Sequence, residues 1–266
     1  MQHYPHGAKL IGRIKKERGK EKVLFEKIYE TYNIFKEQCL EITSNNEEGL
    51  KQTIIYMNSY LNFFSGNEFE IIRKNFQGKI YPSILEEFML YLFRSIVKPP
   101  LVCGSAKIPI GVHFRTYNDV MTCESYEESL CFDTTNADFV IGIIKHSKIT
   151  NKEVIYPLVV IENKRYADKV MRGAVEDKAR RVKNFAPECL YLLVLDLLIP
   201  FFEKNYFPNA SAIDQIYGLR ESAPNDHILR TDIVLKLFND VENHINKIQK
   251  SISLKDRYER GYMMYR

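Results

Sequence analysis

The chain has 266 residues and a formal net charge of +4 at pH 7, and 45 % of its residues are hydrophobic. This length and apolar content predict one large domain, or one domain with an appendage, built around a sizeable core. The mild positive charge neither requires nor excludes a nucleic-acid partner, so the distribution of the basic residues matters more than their sum.

Several classes of protein are not expected from the composition. The sequence contains no apolar run long enough to span a membrane, and residues 1–6 lack the apolar centre of a signal peptide, so a soluble cytoplasmic protein is expected. The cysteines are odd in number and widely spaced without a C-x-x-C motif, which argues against a disulfide framework or a zinc site. They are Cys39, Cys103, Cys123, Cys131 and Cys189.

Helical periodicity dominates the first third of the chain. Residues 9–22 are strongly basic, and residues 23–42 and 47–64 carry apolar side chains at helical spacing. The sequence therefore predicts a helical N-terminal part, residues 1–78, followed by a core formed by residues 79–266. The basic stretch fits either a solvated surface or an arm that contacts DNA, and the sequence leaves both interpretations open.

A better-defined helix is predicted to begin at Pro82. Ser83 followed by Glu86 has the spacing of a capping box, in which the two side chains satisfy backbone N–H groups at the helix start. Residues 101–104 then predict a short strand. Residues 105–135 are expected to be irregular, with polar and aromatic side chains suited to contacts with base edges. His113 in this stretch is interpreted as a structural residue rather than a general base, because no partner residue is evident.

Three short apolar runs, rich in β-branched residues, predict buried strands at residues 136–144, 156–164 and 190–195. Between the last two strands, residues 168–185 lack proline and predict an amphipathic helix. Its inward stripe is predicted to comprise Met171, Val175, Ala179 and Val182. Further along, residues 213–220 predict another strand and residues 226–250 a long amphipathic helix.

Charged residues occupy the ends of two of these strands. Asp138 begins the first strand, and Glu162 and Lys164 end the second, where their spacing of two places them on one face. If the two strands pair as a hairpin, Asp138 reaches the same place. Two carboxylates suffice to hold Mg²⁺, and a lysine beside them suits phosphodiester hydrolysis. The alternative is that Asp138 caps its strand while Glu162 and Lys164 form a solvated pair.

Asp138 followed by Glu162-Asn163-Lys164 resembles the motif of the PD-(D/E)XK nucleases, and the strand–strand–helix–strand order resembles their shared core. The chain looks most similar to the type II restriction endonucleases of that superfamily, although Ala137 stands where a proline is usual. The resemblance implies an α/β fold, with a restriction-endonuclease-like mixed central sheet flanked by helices and a helical N-terminal subdomain.

The resemblance also implies functional assignments. Asp138 and Glu162 would hold Mg²⁺, and Lys164 would complete the catalytic set. Glu86 or Glu87 would assist the metal from the preceding helix, with Glu87 favoured because Glu86 has a predicted capping role. The substrate would be double-stranded DNA cut at a short sequence, by a homodimer or a pair of related subunits, with a DNA methyltransferase as the genetic partner.

The basic face of the helix at residues 168–185 is predicted to contact DNA phosphates, since it follows the strand that carries Glu162. The residues assigned to these contacts are Lys169, Arg172, Arg180, Arg181 and Lys183. A solvated amphipathic helix would show the same pattern. Two other functions also remain open for the whole chain: a junction resolvase or repair nuclease of the same fold, and a non-catalytic DNA-binding module.

Overall fold

The computed structural model describes residues 4–42, 46–114, 130–147, 152–197, 211–220 and 228–250. In that part of the chain, a mixed β-sheet packs between the N-terminal helices on one face and a crossover helix on the other. No helix within the described ranges is both long and apolar enough to cross a lipid bilayer.

The N-terminal helices are α1 (Pro5–Lys16), α2 (Gly19–Glu41), α3 (Glu47–Phe64) and α4 (Glu70–Phe93), with a 3-10 turn at Asn67–Phe69. Local signals explain where two of them begin. Pro5 occupies the first turn of α1, where its missing N–H costs no helical hydrogen bond. The side chain of Asn46 caps α3 by accepting the N–H of Gly49 at 3.0 Å. The helical character predicted for residues 23–42 and 47–64 is confirmed.

The helix start predicted at Pro82 is wrong, because α4 runs continuously through that proline. Ser83 does not cap a helix; its hydroxyl donates to the carbonyl of Ile80 at 2.7 Å. Proline inside a helix costs about 3 kcal/mol, but the buried side chains of Ile72 and Phe88, before and after it, pack into one core. Tertiary packing therefore overrides the local signal, and the boundary predicted at residues 78 and 79 falls inside α4.

The strands are β1 (Leu101–Phe114), β2 (Leu130–Ser147), β3 (Lys152–Lys164), β4 (Leu190–Leu197) and β5 (Gln215–Arg220), and they lie side by side in that order. The first three strands pair antiparallel, whereas β3, β4 and β5 pair parallel. Helix α5 (Lys169–Phe185) makes the crossover from β3 to β4 that a parallel pair requires. Helix α6 (Thr231–Gln249) follows the sheet.

The predicted strands and the crossover helix are confirmed, but the prediction of irregular structure at residues 105–135 is wrong at both ends. Strand β1 extends to Phe114, and β2 begins at Leu130. Pro109 and Gly111 obscured this strand in the sequence, and the pairing of β1 with β2 shifts register between them. A proline is tolerated there because β1 is the edge of the sheet. Residues 115–129, about half of the predicted base-contacting stretch, lie outside the described residues.

Successive side chains of each strand point to opposite faces of the sheet, and this alternation divides the interior into two hydrophobic cores. Phe139 and Ile161 face the N-terminal helices and α6, whereas Val140 and Val160 face α5. On α5 the predicted inward positions 175, 179 and 182 are buried, as expected. Met171 was also predicted to face inward, but it is 40 % exposed, because the first turn of α5 does not pack on the sheet.

Candidate active site

The antiparallel pairing of β2 with β3 brings the predicted acidic residues together. Phe139 pairs with Ile161. Asp138, one residue before Phe139, therefore lies beside Glu162, one residue after Ile161. Lys164, two positions beyond Glu162, projects on the same face of β3. The hairpin geometry expected from the sequence therefore holds at this end of the sheet.

The ammonium group of Lys164 lies at the centre of this cluster. Its Nζ is 2.7 Å from Asp138 Oδ2 and 3.1 Å from Glu162 Oε2. The backbone carbonyl of Asn163 lies 3.3 Å from the same nitrogen, and the N–H of Asn163 donates to Asp138 Oδ2 at 3.0 Å. Oxygen atoms from three residues thus surround one positive charge, an arrangement that suits a hard cation.

Burial and charge shift the proton affinities in this cluster. The Glu162 side chain is almost fully buried, and burial together with the neighbouring Asp138 raises its pKa above the ordinary value. Burial alone would lower the pKa of Lys164, but Glu162 and Asp138 raise it. The charged lysine therefore compensates two carboxylates that would otherwise repel each other. Because Glu162 is only 3 % exposed, it does not form the solvated pair with Lys164 that was the alternative interpretation.

A second lysine contacts Glu162 from the crossover helix. The Nζ of Lys178 donates to Glu162 Oε1 and to the backbone carbonyl of Asn136. Both oxygens of the Glu162 carboxylate are therefore held, one by Lys164 and the other by Lys178. This contact fixes the orientation of the carboxylate relative to Asp138.

The two neighbouring glutamates of α4 point to different places. Glu86 lines the same cleft as Asp138 and Lys164, and its carboxylate lies 3.7 Å from the Nζ of Lys9. Burial and, more weakly, Asp138 raise the pKa of Glu86, while Lys9 lowers it.

Glu87 is 1 % exposed and lies among the N-terminal helices. Its carboxylate accepts the N–H groups of His6 and Gly7, at 2.9 and 3.2 Å, and the hydroxyls of Tyr32 and Tyr91, at 2.7 and 2.6 Å. This geometry does not support the preference for Glu87, since it is Glu86 whose carboxylate faces the cleft.

The cleft is closed on its far side by α1. It has a volume of about 560 Å³ and lies between this helix, α4 and the ends of β2 and β3. The side chains that line it are Lys9, Gly12, Arg13, Lys16, Ile80, Pro82, Glu86, Asp138, Asn163 and Lys164. The basic N-terminal stretch therefore forms one wall of the site that the sequence placed on the sheet.

Within the described ranges, no three His, Cys, Asp or Glu side chains are disposed to hold a metal ion together. Asp138 and Glu162 nevertheless offer two carboxylates around one cationic nitrogen, and Mg²⁺ is commonly held by one or two carboxylates while it keeps several waters. The residues present therefore fit a magnesium ion better than zinc, which prefers cysteine and histidine ligands.

Comparison of the whole fold with solved structures gives a match to the BbvCI A2B2 tetramer, a type II restriction endonuclease. The TM-score is 0.73, and the match covers 95 % of this chain and 100 % of that one. The chain has the restriction-endonuclease-like fold. The sequence identity is 18 %, so the match establishes the architecture but not the role of any residue. At the level of sequence, no family profile and no curated protein matches the chain.

Within this restriction-endonuclease-like fold, sequence analysis missed two contributions to the site. Lys178 lies three residues after Val175 and one before Ala179, so it falls on the buried stripe of α5. A lysine at a stripe position signals a buried acidic partner, and that signal was present in the sequence. The contribution of α1 had a weaker signal: Lys9, Arg13 and Lys16 share one helical face, but only the tertiary fold reveals what that face lies against.

The basic residues predicted to contact DNA from α5 are in varied surroundings. Lys169 and Arg181 are exposed and Arg172 is half-buried. Arg180 makes an ion pair with Asp177 at 3.0 Å, and Lys183 contacts Asp214. Their assignment to DNA contacts stays a prediction.

Proposed function

We propose that this protein is a Mg²⁺-dependent type II restriction endonuclease, which hydrolyses phosphodiester bonds of double-stranded DNA at a short specific sequence. The observation that carries the proposal is the convergence of Asp138, Glu162 and the carbonyl of Asn163 on one cationic nitrogen. This cluster lies on the central sheet of a restriction-endonuclease-like fold.

The proposal gives each residue of the cluster a role. Asp138 and Glu162 hold the metal ion, and Glu86 assists from α4. When bound, the ion supplies charge neutralisation at the phosphate and lowers the pKa of a coordinated water. Lys164 donates a hydrogen bond to the attacking water or to a phosphate oxygen, where negative charge develops during the reaction. Lys178 positions the Glu162 carboxylate.

Partners follow from the same proposal. A duplex has two strands, and cutting both requires two catalytic centres or two successive events, so we propose a homodimer or a pair of related subunits. The BbvCI structure, which is an A2B2 tetramer, is consistent with such an assembly. Like other restriction enzymes, the protein would act in the cytoplasm beside a DNA methyltransferase that protects the host sequence.

The test is incubation of plasmid DNA with the purified protein in Mg²⁺ or in EDTA. We expect discrete fragments with Mg²⁺ and none with EDTA. Glu162→Gln should lower the cleavage rate at least 100-fold, because it removes a metal-binding charge. Glu153→Gln is the matched control, since this exposed glutamate lies at the opposite end of the same strand. Circular dichroism would verify that both variants are folded.

Other results would reject the proposal in distinguishable ways. Undiminished cleavage by the Glu162→Gln variant would show that Glu162 is not a required metal ligand. A smear of fragments would indicate a repair-type or general nuclease, and cleavage confined to branched DNA would indicate a junction resolvase. Retarded migration of intact plasmid, without cutting in Mg²⁺, would indicate a non-catalytic DNA-binding module.

A further inference from the structure

The wall of the cleft opposite the carboxylates is basic. Among the described residues that line the cleft, four side chains are cationic and two are carboxylates. Three of the cations, Lys9, Arg13 and Lys16, belong to α1. We infer that α1 is a phosphate-binding wall of the catalytic cleft, which holds backbone phosphates of the strand that is cut, next to the scissile one. This inference rests on the proposed function for the nature of its ligand.

The spacing of the basic residues along α1 suits a strand of nucleic acid. Positions 9, 13 and 16 fall on one face of the helix and extend over roughly 10 Å of its axis at about 1.5 Å per residue. One DNA strand carries a phosphate about every 3.4 Å along the duplex axis. The basic face is therefore long enough to meet two or three successive phosphates.

Between these basic residues, α1 presents a glycine without a side chain to the cleft. Gly12 lies on the same face, and a Cβ atom built on it would meet no heavy atom within 4 Å. A phosphate group can therefore approach the helix closely between Lys9 and Arg13. A larger side chain at this position would project into the cleft.

The contacts of Arg13 hold its guanidinium in place. This group donates to Glu17 at 3.0 Å, and its carbon lies 4.5 Å from the centre of the Phe76 ring. A stacked arginine loses less side-chain entropy when it binds an anion than a freely moving one does. The geometry of Arg13 is therefore consistent with a preformed anion contact.

The side-chain amide of Asn163, in the opposite wall of the cleft, supports the same inference. Asn163 lines the cleft and is 1 % exposed, yet neither polar atom of its side chain has a hydrogen-bond partner among the described residues. An unsatisfied buried amide costs about 1–3 kcal/mol. A ligand in the cleft that accepts a hydrogen bond from the amide, as a phosphate oxygen does, would recover part of that cost.

The N-terminal turn of α1 is anchored firmly to the core. The Glu87 carboxylate accepts the N–H groups of His6 and Gly7, which lie in that turn. The His6 ring contacts Tyr60 Oη at 2.6 Å and Ser83 Oγ at 3.1 Å. Gly7 packs so closely on Tyr32 that a Cβ atom would overlap the ring. The basic face is thus held at a fixed position relative to the carboxylates, which a flexible DNA-binding arm would not provide.

The experiment measures DNA binding without cleavage. A fluorescently labelled duplex of about 30 base pairs and mixed sequence is titrated with the full-length protein in EDTA, over a series of salt concentrations. The test variant combines Arg13→Ala with Lys16→Ala. The matched control combines Lys15→Ala with Lys20→Ala, which removes the same charge from exposed positions that do not line the cleft.

We expect the test variant to bind at least tenfold more weakly than the unmodified protein. The slope of log affinity against log salt concentration should decrease in magnitude by about 2, since each lost phosphate contact contributes about 0.9. The control should change affinity less than twofold. Gly12→Asp provides a second variant that leaves Arg13 and Phe76 intact, and it should also weaken binding at least tenfold by placing a negative charge in the cleft.

Equal losses in the test and control variants would overturn the inference, because the effect would then reflect net charge alone. Unchanged binding by both the double variant and the Gly12→Asp variant would overturn it as well. These outcomes are separable from failure of the proposed function. Binding that depends on α1 without any Mg²⁺-dependent cleavage would support phosphate binding by α1 and reject the nuclease. Mg²⁺-dependent cleavage by a protein whose DNA affinity does not depend on α1 would support the nuclease and reject phosphate binding by α1.

Discussion

The adjacent residues Glu86 and Glu87 should respond to the same substitution in opposite ways. Glu87→Gln replaces a buried carboxylate that accepts four hydrogen bonds with an amide that has one acceptor oxygen. All four donors would lose a charged acceptor, and the two that face the amide nitrogen would lose their acceptor altogether. Hydrogen bonds to charged groups contribute about 1.5–3 kcal/mol each, so we expect the free energy of unfolding to fall by about 3–5 kcal/mol.

Glu86→Gln should have little effect on stability. Its carboxylate lies 3.7 Å from the Nζ of Lys9, whose side chain is 43 % exposed. Ion pairs of this kind contribute about 0–1 kcal/mol. By contrast, the proposed cation site would lose the carboxylate that is assigned to assist from α4, and we expect the affinity for Mn²⁺, used as a spectroscopic substitute for Mg²⁺, to fall about tenfold or more.

Urea titrations followed by circular dichroism, together with Mn²⁺ titrations followed by electron paramagnetic resonance, measure both quantities for both variants. The reasoning would be refuted if Glu86→Gln destabilised the protein as much as Glu87→Gln did. It would also be refuted if Glu87→Gln left stability unchanged and weakened Mn²⁺ binding, because Glu87 would then belong to the cation site.

Two further predictions concern the buried histidine of α1 and a glycine of β2. Burial and, to a smaller extent, Lys9 lower the pKa of His6 to about 3, below the value of about 6.5 in an unfolded chain. The stability that depends on neutral His6 is therefore complete above pH 6.5 and is lost as the pH falls toward 3. Urea titrations at pH 7.5 and 5.0 should differ by about 2 kcal/mol, and His6→Gln should reduce that difference; an undiminished difference would assign it to other groups. Gly142→Ala should lower the free energy of unfolding by about 2–3 kcal/mol, because its Cβ would overlap the backbone carbonyl of Tyr156. Gly111→Ala is the control, since its Cβ would make only ordinary contacts, and equal losses in both variants would contradict the steric argument.

The sheet at the site could be predicted from the sequence because it depends on short-range patterns. Strands β3 and β4 are buried on both faces, so they appear as continuous apolar runs. The charged residues at the end of β3 interrupt such a run, and the spacing of two between Glu162 and Lys164 fixes their common face. Antiparallel pairing with β2 was the one further assumption needed to bring Asp138 beside them.

The errors arose where long-range packing decides the local structure. Pro82 signals a helix start, but the core on both sides of it keeps α4 continuous. Pro109 signals an irregular segment, but its position at the sheet edge makes it compatible with a strand. The orientation of Glu87 depends on His6, which lies 81 residues away in the sequence, and no local pattern contains that contact.

Charge compensation links the stability of the fold to the proposed chemistry. A buried carboxylate such as Glu162 costs several kcal/mol unless a partner neutralises it, and here Lys164 and Lys178 each hold one of its oxygens. The lysines therefore stabilise the acidic cluster in the absence of a divalent ion. A substitution of Lys164 removes a proposed catalytic group and also leaves two carboxylates without their shared counter-charge. For this reason, a loss of cleavage in a Lys164 variant identifies a catalytic role only if its free energy of unfolding is measured alongside.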